Sequence, residues 1–348
     1  MAEWSNAPDS KSGLGQPNGG SNPSLSATDS TICGVLANTR DSLATLDALN
    51  PSVRERAAEL GTAFAANAPF PHVVIDEFLD HRVALQLLEE FPAFERGNFV
   101  GDDGKPGPKS AFRLMHRLGP TFAALDRTIQ SAAFLELLGR MTNIDRLLYD
   151  PFYLGGGTHE NRSGAALDPH VDFNYHPSER WHRRLNLLLY LNTQWQADWG
   201  GALQLFADPR SDPVPPVAIE PVFNRCVIFA TTERSWHGFD AVRIPEGHVT
   251  PRSRKSIALY FYTRERPAEE VRPRHSTLYV QRPLPPDFVP GHSMTADDVD
   301  TLRSLVHARD AYIDRLHAEN TRLLQAQEHG LAGQILYLMK RAYVRFRR

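Results

Sequence analysis

The chain has 348 residues, 41% of them hydrophobic, enough for one large core or two modest ones, and its formal net charge of -3 gives no bias toward nucleic acid or an anionic membrane. No nucleic-acid partner is therefore expected, and no apolar run is long enough to span a bilayer. The N-terminus lacks the basic patch and apolar stretch of a secretory signal. Of the two cysteines, Cys33 lies in a polar stretch and Cys226 in an apolar one. That argues against a disulfide between them and fits a reducing, cytoplasmic setting.

Residues 1–32 are rich in Ser, Asn, Gly and Pro and are expected to be disordered, within a tail reaching residue 41. The same stretch resembles the peptide read when translation runs through a transfer-RNA gene. On that reading the natural start lies near residue 35 at a non-Met codon, since the next methionine is Met115. From about residue 42 the spacing of Leu43, Leu46 and Leu49, followed by "SVRERAAELGTAFAAN", is helical. "FPHVVIDEFLD" (70–80) reads as a buried strand leading into a helix at "HRVALQLLEEF". Glycine, proline and charge make "GDDGKPGPKS" (101–110) an exposed loop, and 122–141 reads as one amphipathic helix.

Between residues 146 and 264 short apolar runs alternate with turn residues: "LNLLLYLN", "GGALQLF", "PVAIEP", "NRCVIFATT" and "SIALYFYT". Their β-branched and aromatic content predicts an all-β barrel or sandwich. Residues 282–294 form a proline-rich linker. A C-terminal helix then begins at Thr295, a candidate N-cap with Asp298 three residues later. Val299, Val306, Ile313 and Asn320 share one heptad position, and Leu302, Leu316 and Leu323 another, with Arg309 interrupting. The pattern fits a short coiled coil joining a homodimer through the C-terminal helix, or a helix folded back on its own domain. The tail "QILYLMKRAYVRFRR" is a basic amphipathic segment suited to a membrane surface or a partner, or to a plain solvated helix end.

The chemistry concentrates in "DPHVDFNYHP" (168–177). In a strand, residues two apart share a face, so His170 and Asp172 project together while Val171 points away. A first-row metal held on one side needs a third ligand, usually from a distant strand. His237 in "SWHGFD", 67 positions on and straight after an apolar strand, supplies it. Two histidines and one carboxylate select iron(II) over magnesium, which prefers oxygen, and over structural zinc, which wants a closed four-ligand site. In a chain with 14 histidines an H-x-D pair alone is weak; the order of the other features strengthens it. Arg254 stands at the start of "KSIALYFYT", where its guanidinium can grip a carboxylate through two parallel hydrogen bonds, while Lys255 faces the other way. A dicarboxylic 2-oxo acid chelating a metal at one end needs such a cation at the other.

Here the sequence resembles the 2-oxoglutarate/iron(II)-dependent dioxygenases, within them the prolyl-4-hydroxylase-like group. The resemblance covers about residues 150–264 through "GGGTHENRSGAALDPHVDFNYHP", "RRLNLLLYLNTQW", "GGALQLF", "FATTERSWHGF" and "RSRKSIALYFY". It implies a mainly β fold with flanking helices: a double-stranded β-helix (jelly-roll, cupin-like) core over 146–281, buttressed by 42–145, plus the long C-terminal helix. It also implies His170, Asp172 and His237 as iron ligands, and Arg254 and Tyr190 as the groups that bind the distal carboxylate of 2-oxoglutarate. The cofactors implied are Fe(2+), 2-oxoglutarate and O2, with ascorbate allowed as a reductant. Asp172, where halogenating members of the family carry a small residue, implies hydroxylation of a C–H bond in a small-molecule or peptidyl substrate, coupled to formation of succinate and CO2. A cupin-like metalloenzyme without a 2-oxo acid, and a silent relative acting as an interaction module, are the competing readings.

Other polar residues carry plainer expectations. His176 and His182 read as surface or substrate-contact residues in a solvated rim, and His159 and Asn161 as ordinary loop residues before the metal strand or as residues lining the cleft. Arg183 and Arg184 would bind an acidic substrate group or pair with acidic neighbours. Trp195, Trp199, Gly200 and Gly201 form a turn packed between strands, and His116 and His248 have no supporting pattern. The substrate itself stays open among protein, amino acid, sugar and lipid-linked molecules, because strands build such a site while loops choose what enters it.

Overall fold

The structure is a computed structural model that describes residues 47–100, 106–245, 253–281, 283–285, 287–329 and 339. The expected tail over 1–41, the helical start at Leu43 and Leu46, His248 and all of the basic C-terminal segment but Met339 lie outside the described residues. Among the described residues no helix is long and apolar enough to cross a membrane.

The N-terminal half supplies helices α1 (Pro51–Glu55), α2 (Ala57–Ala66), α3 (His81–Glu89), α4 (Pro120–Ile129) and α5 (Ala132–Thr142). It also supplies strands β1 (His72–Ile75), β2 (Asn98–Val100) and β3 (Pro106–Phe112). Then follow β4 (Leu148–Tyr149), β5 (Gly157–Asn161), β6 (Leu167–Val171), β7 (His182–Tyr190), β8 (Leu203–Phe206) and β9 (Val217–Ile219). The chain continues through β10 (Cys226–Ala230), β11 (Trp236–Phe239), β12 (Arg254–Thr263), β13 (Leu278–Tyr279) and the long helix α6 (Ala296–His329).

These strands make two antiparallel sheets. The larger runs β1-β10-β7-β12-β5-β3-β2, with β4 also paired to β12, and the smaller runs β13-β6-β11-β8-β9. Neighbouring strands are mostly distant in sequence, the crossing connectivity of a jelly roll. The predicted mainly β fold with flanking helices is thus what forms.

Alternation along β7, β10 and β12 explains the layering. Leu185, Leu187, Leu189, Cys226, Ile228, Ile257, Leu259 and Phe261 face the helices and join one large core with Leu60, Phe64, Leu87, Phe122, Phe134 and Leu137. Their neighbours Tyr190, Val227 and Phe229 face the opposite sheet and pack with Leu203, Leu205 and Ile219. Both faces of these strands are covered, which is why their sequences read as nearly unbroken apolar runs. Asn224 ties the helical half to the barrel: its amide accepts from the Leu79 N–H at 2.9 Å and donates to the Leu79 carbonyl at 2.8 Å.

Two local expectations are corrected. The segment 122–141 is two helices, because the chain breaks after Ile129 and Ser131 caps α5, accepting from the Phe134 N–H at 3.2 Å. The loop expected over 101–110 becomes strand at Pro106, because Lys109 to Phe112 pair with β5 residues Asn161 to Thr158. The prolines fall in the first half of β3, where its pairing with β2 is irregular and missing donors matter less.

The smaller sheet depends on a close approach at Gly238. A β-carbon there would lie 2.5 Å from the Leu167 carbonyl oxygen, on the neighbouring backbone of β6. The β6–β11 register shifts at this point, between His237 and Phe239. Gly238→Ala is therefore expected to force the two strands apart and to destabilise the fold by about 1–3 kcal/mol, measured by urea denaturation; an unchanged midpoint would show that the strands are free to separate.

Candidate metal centre

His170 sits in β6 and His237 in β11, and the two residues are direct partners in the antiparallel register. Their imidazole rings face each other at 4.2 Å between centroids. Asp172 follows β6 immediately, two positions from His170 and so on the same face. Its carboxylate lies 3.8 Å from His170 Nε2 and 3.5 Å from His237 Nε2. The three side chains bring one ligand atom each within 4.8 Å of one another.

Each histidine is oriented by its own backbone. His170 Nδ1 lies 2.9 Å from the Asp168 carbonyl, and His237 Nδ1 lies 2.9 Å from the Ser235 carbonyl. A carbonyl only accepts, so Nδ1 carries the proton and the Nε2 lone pair is turned toward Asp172. Burial, reinforced by the neighbouring His237 and Arg183, pushes His170 down to about 3. His237 is likewise lowered by burial. Both rings are thus neutral and able to ligate at ordinary pH.

Asp172 is held from behind. Burial alone would raise its carboxyl, but the charge of Arg183, with the two histidines and Asn186, outweighs burial and holds it well below the usual carboxylate range. Arg183 Nη2 reaches Asp172 Oδ2 at 3.0 Å and Asn186 Nδ2 donates to the same oxygen at 2.7 Å. Arg183 also donates to Asn186 Oδ1 through Nε and Nη2, at 3.1 and 2.7 Å. The guanidinium is fully buried over the rings of Phe173 and Tyr260, at 4.4 and 3.6 Å from their centroids. Oδ2 is held by this clamp and faces His237, while Oδ1 is left toward His170.

A second buried cation closes the far end. Arg254 is 4% exposed, donates from Nε to the Gly201 carbonyl at 2.7 Å and from Nη2 to the Tyr190 hydroxyl at 3.3 Å, and lies over the Phe239 ring at 4.2 Å. Burial lowers its guanidinium, the cost of a desolvated charge. Among the described residues no carboxylate forms an ion pair with it. Gly201, at φ +68°, lets this carbonyl approach; a β-carbon there would stand 3.1 Å from the arginine chain. Lys255 points away, as expected, to Glu160 at 3.2 Å.

His170, Asp172, His237, Tyr190 and Arg254 are therefore brought into one barrel interior. Other expectations change. His176 is buried, not on a rim; its Nδ1 accepts from the Ser178 and Glu179 N–H groups and its Nε2 faces Asp150 at 3.3 Å. His159 and Asn161 lie in β5, not a loop. They share the inward face of Arg254 and Ser256, with which they pair. Burial, with Lys109 and Arg254 nearby, lowers His159 to about 3. His182 opens β7 beside the Tyr175 ring at 4.7 Å, and His116 is exposed. Arg183 and Arg184 take the acidic-neighbour option, with Asp172 and with Glu270 at 3.8 Å. Trp195 and Trp199 pack edge to face at 5.5 Å in the expected turn.

Sequence reading missed the Asn186 half of the clamp and the partner of Arg183. Asn186 lies two even steps before Tyr190 and was accessible to period-two counting. Arg183 was not, because β7 and β12 slip register between Phe261 and Tyr262, so Tyr262 pairs with Arg183 and the alternation is broken. A second acidic and histidine cluster, Asp287, His292 and Asp298, also gathers ligand atoms, but it is more exposed and Asp298 is engaged in capping α6 with Thr295.

Residues 157–262 match the family model of the 2OG-Fe(II) oxygenase superfamily. No curated protein matches the chain. Among solved structures it is similar to a prolyl hydroxylase from Trichoplax adhaerens in complex with a peptide of the hypoxia inducible factor oxygen degradation domain, at 17% identity and TM-score 0.43, covering 62% of this chain and 94% of that one. A prolyl-4-hydroxylase from Pseudomonas putida gives 20% identity and TM-score 0.39 over 59% of this chain and 99% of that one. HygX from Streptomyces hygroscopicus, with nickel and 2-oxoglutarate bound, gives 15% identity and TM-score 0.38 over 60% and 91%.

The donor geometry is tested by metal content. His170→Ala and His237→Ala are each expected to lose bound divalent metal by elemental analysis while keeping the wild-type circular dichroism, since neither side chain belongs to the apolar cores. Full metal occupancy in either variant would contradict the triad.

Proposed function

We propose that the 2OG-Fe(II) oxygenase domain of this chain holds iron(II) on His170, Asp172 and His237, binds 2-oxoglutarate at its distal carboxylate through Arg254 and Tyr190, and hydroxylates a C–H bond of a small-molecule or peptidyl substrate. The observation that carries the reading is the convergence of two unprotonated Nε2 atoms and one anionic carboxylate, all from one small sheet. Two neutral nitrogens and one oxygen suit iron(II), and a ligand set confined to one side leaves positions for cosubstrate and O2.

When bound, iron(II) with 2-oxoglutarate and O2 supplies the oxidising power, 2-oxoglutarate leaving as succinate and CO2. The protein's own groups bind and orient. The Arg254 guanidinium, lacking a carboxylate partner among the described residues, receives one from the ligand, and the Tyr190 hydroxyl, already accepting from Arg254, donates its proton to the same group. The Arg183–Asn186 clamp keeps Asp172 ionised and fixed in orientation. Phe229, whose ring lies 4.7 Å from that of His237, adds an apolar wall that excludes water from the ligand side of the triad.

A homodimer through α6 is a further part of the reading. Val306, Ile313 and Leu316 are 47, 46 and 41% exposed and fall on the predicted seam, while Tyr312, Arg315 and Glu319 of the same helix turn toward the barrel. Helix α6 thus docks on its own domain with one face and keeps an apolar stripe on another, so the two sequence alternatives are compatible. Exchanging Ile313 and Leu316 together for glutamate is expected to halve the mass seen by light scattering without moving the docked face; a wild-type mass in that variant would place the seam elsewhere.

The cosubstrate anchor is tested at Arg254. Removing one partner of a buried charge pair costs about 2–5 kcal/mol, roughly thirty-fold to several thousand-fold in affinity. Arg254→Ala should weaken 2-oxoglutarate binding by that factor, and Arg254→Lys should fall between, keeping the charge but not the paired geometry. Titration of anaerobic iron(II) protein, followed by the metal-to-ligand charge-transfer band, measures it. Wild-type 2-oxoglutarate affinity in Arg254→Ala would move the anchor away from this residue.

A further inference from the structure

The Nδ1 hydrogen bond of His170 to the Asp168 carbonyl sets its tautomer, and the His237 ring lies 4.2 Å away. A further contact packs against the His170 ring. Strand β13 lies beside β6 with Tyr279 opposite His170, and the Val280 N–H donates to the Pro169 carbonyl at 2.7 Å. The Tyr279 ring stacks on the His170 imidazole, with centroids 5.1 Å apart and planes 28° from parallel.

A two-residue edge strand is too short to hold this ring by its own ladder. Helix α6 does so. Tyr312 meets the Tyr279 ring edge-on at 5.7 Å, and the Arg315 guanidinium lies over both rings, 4.7 Å from Tyr279 and 5.1 Å from Tyr312. Arg315 Nη2 also donates to the Thr277 carbonyl at 3.2 Å, and Ser276 Oγ to Glu319 at 3.4 Å. Tyr312, Arg315 and Glu319 stand three and four residues apart, so a single helix face carries every one of these contacts. They run from the far end of the sequence, through Tyr279, to the ring of a metal-site histidine.

We infer that Tyr279 is a positioning residue for His170 and that α6 holds it in place, so that the C-terminal helix is a working part of the metal centre. The inference rests on the reading of His170 as a metal ligand. A stacked ring restrains the ligand without touching the metal, the role that outer groups play around metal-bound imidazoles.

The full-length protein loaded with Co(II) reports this directly, through its visible d–d spectrum and its rate of Co(II) release to excess chelator. Tyr279→Ala is expected to shift the d–d band and weaken Co(II) binding by about 10–100-fold, the usual cost of losing such an outer group. Arg315→Ala should move both readouts in the same direction by less, and Tyr279→Phe, which keeps the stack, should match wild type. Wild-type spectra and release rates in both Tyr279→Ala and Arg315→Ala, beside a His170→Ala variant that binds no Co(II), overturn this inference alone. A Tyr279→Phe variant as impaired as Tyr279→Ala overturns the stacking role. Should Tyr279→Ala not fold, Arg315→Ala decides the matter by the same two readouts. Wild-type Co(II) affinity in His170→Ala overturns the ligand reading and this inference with it.

Discussion

The antiparallel pairing of β6 with β11 is the contact on which the centre depends, because it sets His170 opposite His237 with their rings 4.2 Å apart. Backbone ladders hold strands at a nearly fixed separation, so two side chains in register need no further device to meet. The third candidate donor, Asp172, then costs only two more residues of chain. Gly238 keeps the strands close at the position where the register slips, and its own carbonyl-lined neighbourhood has no space for a β-carbon. A one-residue slip in this pair would turn one histidine out of the site altogether.

Two buried guanidiniums surround the triad and differ in how their charges are met. Arg183 is compensated inside the protein by Asp172, with Asn186 closing the hydrogen-bond circuit and two aromatic rings beneath. Arg254 has a carbonyl, a phenol and aromatic faces, but no ion-paired carboxylate among the described residues. An isolated buried charge is costly, and neutral partners offset only part of that cost. The difference separates a residue that orients the Asp172 carboxylate from one suited to receive an anion.

The parts of the site legible in the sequence are those governed by local periodicity. His170 and Asp172 follow from alternation within one strand and Arg254 from its place at the start of an apolar run, whereas Tyr190 was singled out only by the resemblance. The turn at Gly200 and Gly201 was equally plain from composition. Where local rules gave the wrong environment, a long-range contact had overridden them. The glycines and prolines around Pro106 suggested a loop until β5 supplied a partner for Lys109 to Phe112. The polar string around His176 suggested solvent, but folding brings Asp150 and two N–H groups to satisfy the ring, so it is buried without penalty.

By itself, the sequence determined the β-rich core, the flanking helices and which two histidines and aspartate would gather as candidate donors, since each rests on patterns a few residues long or on motifs of fixed order. Only the tertiary structure decided that Arg183, and not Arg184, turns inward, because a slip between β7 and β12 is invisible to counting along one strand. It alone brought Tyr279 onto His170, 109 positions away, and laid α6 behind it with an apolar stripe still exposed. Such contacts are set by which edge of a sheet is left to cover and by which helix face reaches it first. Neither quantity exists until the barrel has closed.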